Sequence, residues 1–318
     1  MIEAIQKDLE KALEHNKEFS GQAIILEQNE NSDLVEFTKP PAKEFFEKLF
    51  NTDKVFWKTY SQLGLAIEPN NSAHANFIGG KIFFCKNVEK KYLNSIGPIK
   101  EFNLNSGKIK EKTPINLENI FLLLASPFEI LKQFANVSIL SLEINSQLEK
   151  YGEFSEKTKK FWSETTISKE NVFDVMEKSL IGALKAMEYS FYSSLAYNFK
   201  ATLKKSKSWQ ECELEELQKS DAKKLAKDFG FFSENIYDIS FPRISEGKNP
   251  TGKISAIAVP ENPSARWSEN CKLLCARYLD LERKAFKFVG KTTGLEELVF
   301  FLTAQELKEL GKNKTELK

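Results

Sequence analysis

Apolar residues at three- and four-residue spacing dominate this chain, and short alternating or continuous apolar runs interrupt them only in its first third. Ile2, Ile5, Leu9 and Leu13 predict a helix over 1–18, closed by Ser20-Gly21. The run 23–26 reads as a short buried strand, and 34–38 as another that Pro40-Pro41 stops. Residues 42–62 return to helix, with Phe45, Phe46, Leu49, Phe50, Phe56 and Trp57 as core candidates. A loop at 69–72 precedes two apolar runs around Gly79-Gly80, which predict a hairpin over 77–84.

From about residue 116 the pattern is helical. One or two helices cover 116–150, interrupted near Pro127. A long one covers 169–206, with Ser168 as N-cap and Met176, Leu180, Leu184, Met187, Phe191, Leu195 and Phe199 on one stripe. That stripe reads as bundle core; the rival reading is the lining of a ligand groove. Further helices are expected over 211–228, 264–290 and 304–310. A loop rich in Pro, Gly, Ser and Asn is expected over 241–263, and a turn at Thr293-Gly294. The expected fold is therefore α+β but predominantly α-helical, a helical bundle with a small N-terminal strand-containing region. Residues 1–112 form the mixed part and 113–318 the helical part, either separate or continuous with it.

Charge excludes some partners. The 46 Lys+Arg balance 45 Asp+Glu, a net charge of +1, so no global basic field marks a nucleic-acid binder. The longest uncharged apolar stretch, 119–128, is far short of the roughly 20 residues a membrane span needs. The amphipathic, charged start lacks the apolar core of a signal peptide, so a cytoplasmic protein with reduced thiols is expected. Cys271 and Cys275 share a helix face, and the simplest reading is a buried pair.

Candidate chemistry is sparse. The two histidines, His15 and His74, lie far apart, which leaves no His-rich metal site, and no metal ligands are expected. Gly79-Gly80-Lys81 looks like the end of a phosphate loop but sits between strands, as a hairpin turn does. The acidic groups 213–216 and Glu296-Glu297 read as solvated faces. No nucleophile–base pair appears, so no catalytic residue is assigned. The four arginines, Arg243, Arg266, Arg277 and Arg283, all fall in the last quarter. A planar guanidinium fork suits carboxylate or phosphate, and it also suits ion pairs between helices. Arg243, fixed beside Pro242, is placed to meet a carboxylate.

One segment carries a likeness. Within 229–246, Phe229, Gly230, Tyr237, Asp238, Ile239, Pro242, Arg243 and Glu246 fall in ungapped register with F-G-H-L-R-P-G-T-Y-D-I-x-S-P-R-Y-x-E. That stretch belongs to the central region of phosphoenolpyruvate-utilising phosphotransferases, among them phosphoenolpyruvate synthase and the rifampicin phosphotransferases. A second stretch, 277–283 followed by 295–307, resembles the family's R-x-x-x-x-L-R-E … L-G-x-x-x-D-I-F-F-L-T-x-x-E-L, and 35–41 with 79–84 resembles one of its strands. The resemblance implies an acceptor-side domain, not catalytic alone, with Asp238, Arg243, Glu246, Arg277 and Arg283 as substrate-binding candidates. It implies separate ATP-grasp and phosphohistidine proteins as partners, a small-molecule acceptor, and ATP and Mg bound by a partner rather than by this chain. The family's histidine falls on Phe231 and its arginine on Ser233. Those losses imply the rival reading, a non-catalytic binding or scaffold relative.

Overall fold

Helix α1 spans Ile2–His15 and meets a three-stranded antiparallel sheet of β1 (Leu26–Gln28), β2 (Ala75–Ile78) and β3 (Lys81–Cys85), with β3 in the centre. This computed structural model describes residues 2–17, 23–28, 39–50, 55, 59, 75–79, 81–88, 99–103, 108–111, 127–198, 203, 213–233, 235–247 and 260–316. The hairpin expected over 77–84 is present: Phe77 pairs with Ile82 and Ile78 with Lys81. Gly79 takes φ +58°, a left-handed conformation open to glycine at little cost, which is why the turn falls there. Its N–H donates to Asp8 Oδ2 at 3.1 Å, and Asn16 Nδ2 donates to Asn76 Oδ1 at 3.3 Å. These polar ties set the rotation of α1. As a result Ala12 is buried while Leu9 and Leu13, whose spacing predicted the helix, are exposed.

The first strand begins at Leu26, three residues later than expected, because Asn87 holds Ala23 and Ile25 by side-chain hydrogen bonds instead. Helix α2 spans Pro40–Phe50. Its prolines open the helix, where a missing N–H costs nothing. Phe45, Phe46 and Leu49 are buried beneath it. A second antiparallel pair, β4 (Ile99–Asn103) and β5 (Lys108–Glu111), was not expected. The strand at 34–38, the loop at 69–72, Phe56, Trp57 and His74 lie outside the described residues.

Three long helices follow: α3 (Pro127–Glu164), α4 (Val172–Asn198), and, after the short α5 (Glu213–Lys219) and α6 (Ala222–Asp228), α7 (Pro263–Thr293). Pro127 starts α3 rather than interrupting it, and the helix continues well beyond residue 150. Residues 116–126 lie outside the described residues, as do Phe199 and the rest of 199–206 apart from Leu203. Ser168 does not cap α4: its N–H donates to Asn171 Oδ1 at 2.8 Å, and the helix begins after that turn. The single helix expected over 211–228 is two, because Asp221 caps α6 by accepting from Lys224 N–H at 2.8 Å. Helix α7 is capped by Asn262, starts at a proline that was expected to close the preceding loop, and ends at Gly294 with φ 77°, where a turn was expected. The last helix, α8, spans Ala304–Glu316.

Helix α7 is the axis. Tyr151 of α3 packs on Trp267 with ring centroids 5.9 Å apart, and Trp162 bonds Asp280 further on, so α3 and α7 run parallel. Ser193 of α4 meets Ser264, Ser190 meets Ser268, and Gly182 faces Tyr278, so α4 runs antiparallel. A Cβ added at Gly182 would lie 2.3 Å from Tyr278 ring carbons; glycine alone permits that approach. Met176, Leu180, Met187 and Leu195 are buried, as the stripe predicts for bundle core. One apolar cluster joins Phe45, Phe46 and Phe84 of the N-terminal part to Leu274, Leu279 and Phe286 of α7. A smaller one gathers Leu214, Leu225, Phe229, Phe231 and Ile244 against Leu273 and Ala276.

Candidate functional site

The segment 229–246 folds against the middle of α7, from Leu273 to Arg283. Helix α6 ends at Phe229, and the chain then turns back on itself: Ile244 N–H donates to Phe232 O at 3.0 Å and Ser245 N–H to Gly230 O at 3.1 Å. Between these points side chains stand in for regular structure. Asn235 Oδ1 accepts from Tyr237 N–H at 3.2 Å, and Asp238 Oδ1 from Ser240 N–H at 2.8 Å. Such Asx turns satisfy backbone that neither helix nor sheet covers. Tyr237 anchors the loop, stacking on Phe45 and meeting Phe46 edge-on. Asp238 is buried and shapes the loop.

Three of the four arginines pair with carboxylates of the chain along α7. Arg283 forks onto Glu246, Nε to Oε1 at 2.9 Å and Nη2 to Oε2 at 2.8 Å, while Nη1 donates to Ile239 O at 2.7 Å. Arg277 pairs with Glu213 at 2.7 Å, and its guanidinium lies 4.4 Å from the Phe231 ring centroid. Arg266 meets Glu215 at 3.2 Å and donates to Pro260 O. Three guanidinium groups thus pair with carboxylates of this same chain, Arg283 through its fork and Arg266 and Arg277 through one nitrogen each, tying α5 and the 229–246 segment to α7. Two expectations change here. The acidic residues 213–216 are not a plain solvated face, because docking of α5 turns Glu213 inward to Arg277 and Lys159. Burial alone would raise the Glu213 carboxyl, but those two cations hold it below its usual range. And among the described residues Arg243 meets no carboxylate within ion-pair distance: its Nη1 donates to Asn235 O at 3.3 Å.

Arg243 is fully buried, and among the described residues its Nε and Nη2 have no hydrogen-bond partner. Burial pulls its guanidinium down to about 10, and the Asp280 carboxylate works against that shift. The group is therefore still charged at neutral pH. Asp280 itself is committed to Trp162 Nε1 and to Lys284 Nζ, each at 2.7 Å. Glu282, on the next part of α7, is buried and pushed up to about 8, first by burial and then by Glu44. Asn235, Asp280, Glu282 and Glu213 were not among the sequence candidates; alternating charge within a helix conceals which residues turn inward.

Cys271 and Cys275 are buried side by side, and burial pushes both thiols up. They are inert packing residues, as their helix spacing suggested. Glu296 and Glu297 are exposed. Among the described residues no group of three or more His, Cys, Asp or Glu is arranged to hold a metal ion, and no helix is long and apolar enough to cross a membrane. No family model, curated protein or solved structure matches the chain.

Proposed function

We propose that this chain is the acceptor-side module of a split phosphotransferase of the phosphoenolpyruvate-utilising kind. It holds a small acceptor while separate ATP-grasp and phosphohistidine proteins supply the phosphate, and it is not catalytic alone. Phosphoryl transfer needs nucleotide, metal and phosphate-positioning groups, which on this reading come with the partners. One observation supports the reading above others: within the segment that carries the family likeness, Arg243 is buried, charged and left with two free N–H groups. Asp238, Glu246, Arg277 and Arg283 serve by shaping and tying that segment.

A second reading, a scaffold with no part in phosphotransfer, draws on Phe231. The likeness places a histidine there, and this chain buries an apolar ring beneath Arg277.

The test is isolation of the tagged chain at low salt from its native cells, with mass spectrometry of what accompanies it, followed by a labelled-phosphate assay. Recovery of a protein with an ATP-grasp domain or a phosphohistidine loop, and transfer only by the reconstituted set, is the expected result. Recovery alone at monomer mass selects the scaffold. Transfer by the purified single chain overturns both readings.

A further inference from the structure

We infer that Arg243 and Asn235 form a closed seat for one oxyanion, a carboxylate or phosphate group of a small molecule. The inference rests on the acceptor-module reading and names the chemistry of what is held. Among the described residues eight buried side-chain polar atoms have no hydrogen-bond partner, and six of them are N–H donors. Three of those six belong to two touching residues: Arg243 Nε, Arg243 Nη2 and Asn235 Nδ2. A buried donor left unmet loses its bond to water without replacement, and a charged one loses more, so three on two touching residues weigh against this closed form. The other three are Arg277 Nε, Arg277 Nη1 and Trp267 Nε1, on α7, while the neighbouring polar groups of the 233–240 loop are satisfied by turns.

The deficit has one chemical sense. All three atoms donate, so the complement must accept. A water molecule also brings two protons that need acceptors of their own. A carboxylate or phosphate brings only oxygens, and its planar pair matches the guanidinium fork. The carboxylates around Arg243 are already committed: Asp280 to Trp162 and Lys284, Glu246 to Arg283 and Lys287, Asp238 to Ser240 N–H.

Access requires movement, since Arg243 has no exposed surface and Asn235 is 5% exposed. The tie nearest solvent is ionic, with Glu246 held by Arg283 and Lys287. Opening the seat requires release of that tie and, behind it, of the Ile244 N–H bond to Phe232 O and the Ser245 N–H bond to Gly230 O.

The experiment is thermal unfolding and isothermal titration of the full chain with inorganic phosphate and, separately, acetate, against chloride at constant ionic strength. A saturable Tm rise of several degrees with either probe is expected, and the probe that saturates names the group. Arg243→Lys keeps the charge but loses the fork and should weaken binding at least tenfold. Asn235→Asp keeps the acceptor for Tyr237 N–H and installs an internal carboxylate oxygen. It should raise the Tm without probe and abolish the response. No saturable response in the wild-type chain, or an undiminished one in Asn235→Asp, overturns the seat. Neither result touches the proposed partnership, which co-isolation decides.

Discussion

Arg283 and Glu246 form a two-pronged ion pair, at 2.9 and 2.8 Å, that closes the 229–246 segment onto α7. Burial alone would raise the Glu246 carboxyl, but hydrogen bonds and charge from Arg283, with Lys287 behind it, hold it down at about 2. The folded value is thus below the unfolded one. The stabilisation is complete above about pH 4.5 and fades as pH falls toward 2. Glu246→Gln should cost about 2–3 kcal/mol at pH 7, with some solvent screening included. That gap should close by pH 2. Urea unfolding of both proteins between pH 2 and 7 measures it; a gap that stays constant with pH would remove the ion pair as its source.

Glu282 has the opposite sign. Burial first, then the Glu44 charge, raises its carboxyl to about 8, with Lys48 and Arg243 pulling weakly the other way. In the folded chain it keeps its proton up to about pH 8, while in the unfolded chain it releases it near 4.5. Stability is therefore whole below about pH 4.5 and declines as pH rises to 8. Glu282→Gln keeps the shape and cannot ionise. It should match the wild type at pH 4.5 and exceed it by several kcal/mol at pH 8–9. Melting curves across that range test this, and a wild-type Tm that does not fall between pH 5 and 8 would count against it.

How much of this was legible in the sequence depends on the distance over which each signal acts. Turn glycines act within a few residues, so the hairpin at Gly79 and the end of α7 at Gly294 were readable; the cap at Asn262 is as local but falls in the stretch expected as loop. The break at Asp221 was readable in principle, since an N-cap aspartate inside a polar run is a local signal; the surrounding lysines and glutamates masked it. The rotation of α1 was not. It is fixed by Asp8 reaching Gly79 and Asn16 reaching Asn76, contacts more than 50 residues apart that no local periodicity encodes. At the site, the clustering of arginines was visible, and so was their use in interhelical pairing. Which carboxylate each one met was not, because Glu213 and Glu215 differ from their exposed neighbours only through the docking of α5.

Phe231 tests whether the departure from the family pattern is structural. It is fully buried, edge-on to Trp162 at 5.3 Å and beneath Arg277. A cation over an aromatic face adds about 1–2 kcal/mol to the apolar burial. Phe231→His would return the residue expected from the likeness to a place now built for a hydrocarbon ring. Its imidazole would carry two polar nitrogens into that space and would resist protonation beside a guanidinium. Phe231→His should therefore destabilise the chain by about 2–4 kcal/mol, and adding Ser233→Arg to it should restore nothing. Phe231→Leu keeps the apolar contact, loses the ring face and should fall between the two. Chemical denaturation of the three variants gives the order. A Phe231→His chain as stable as the wild type would mean that the surroundings still accept a polar group at 231, and the scaffold reading would lose its main support.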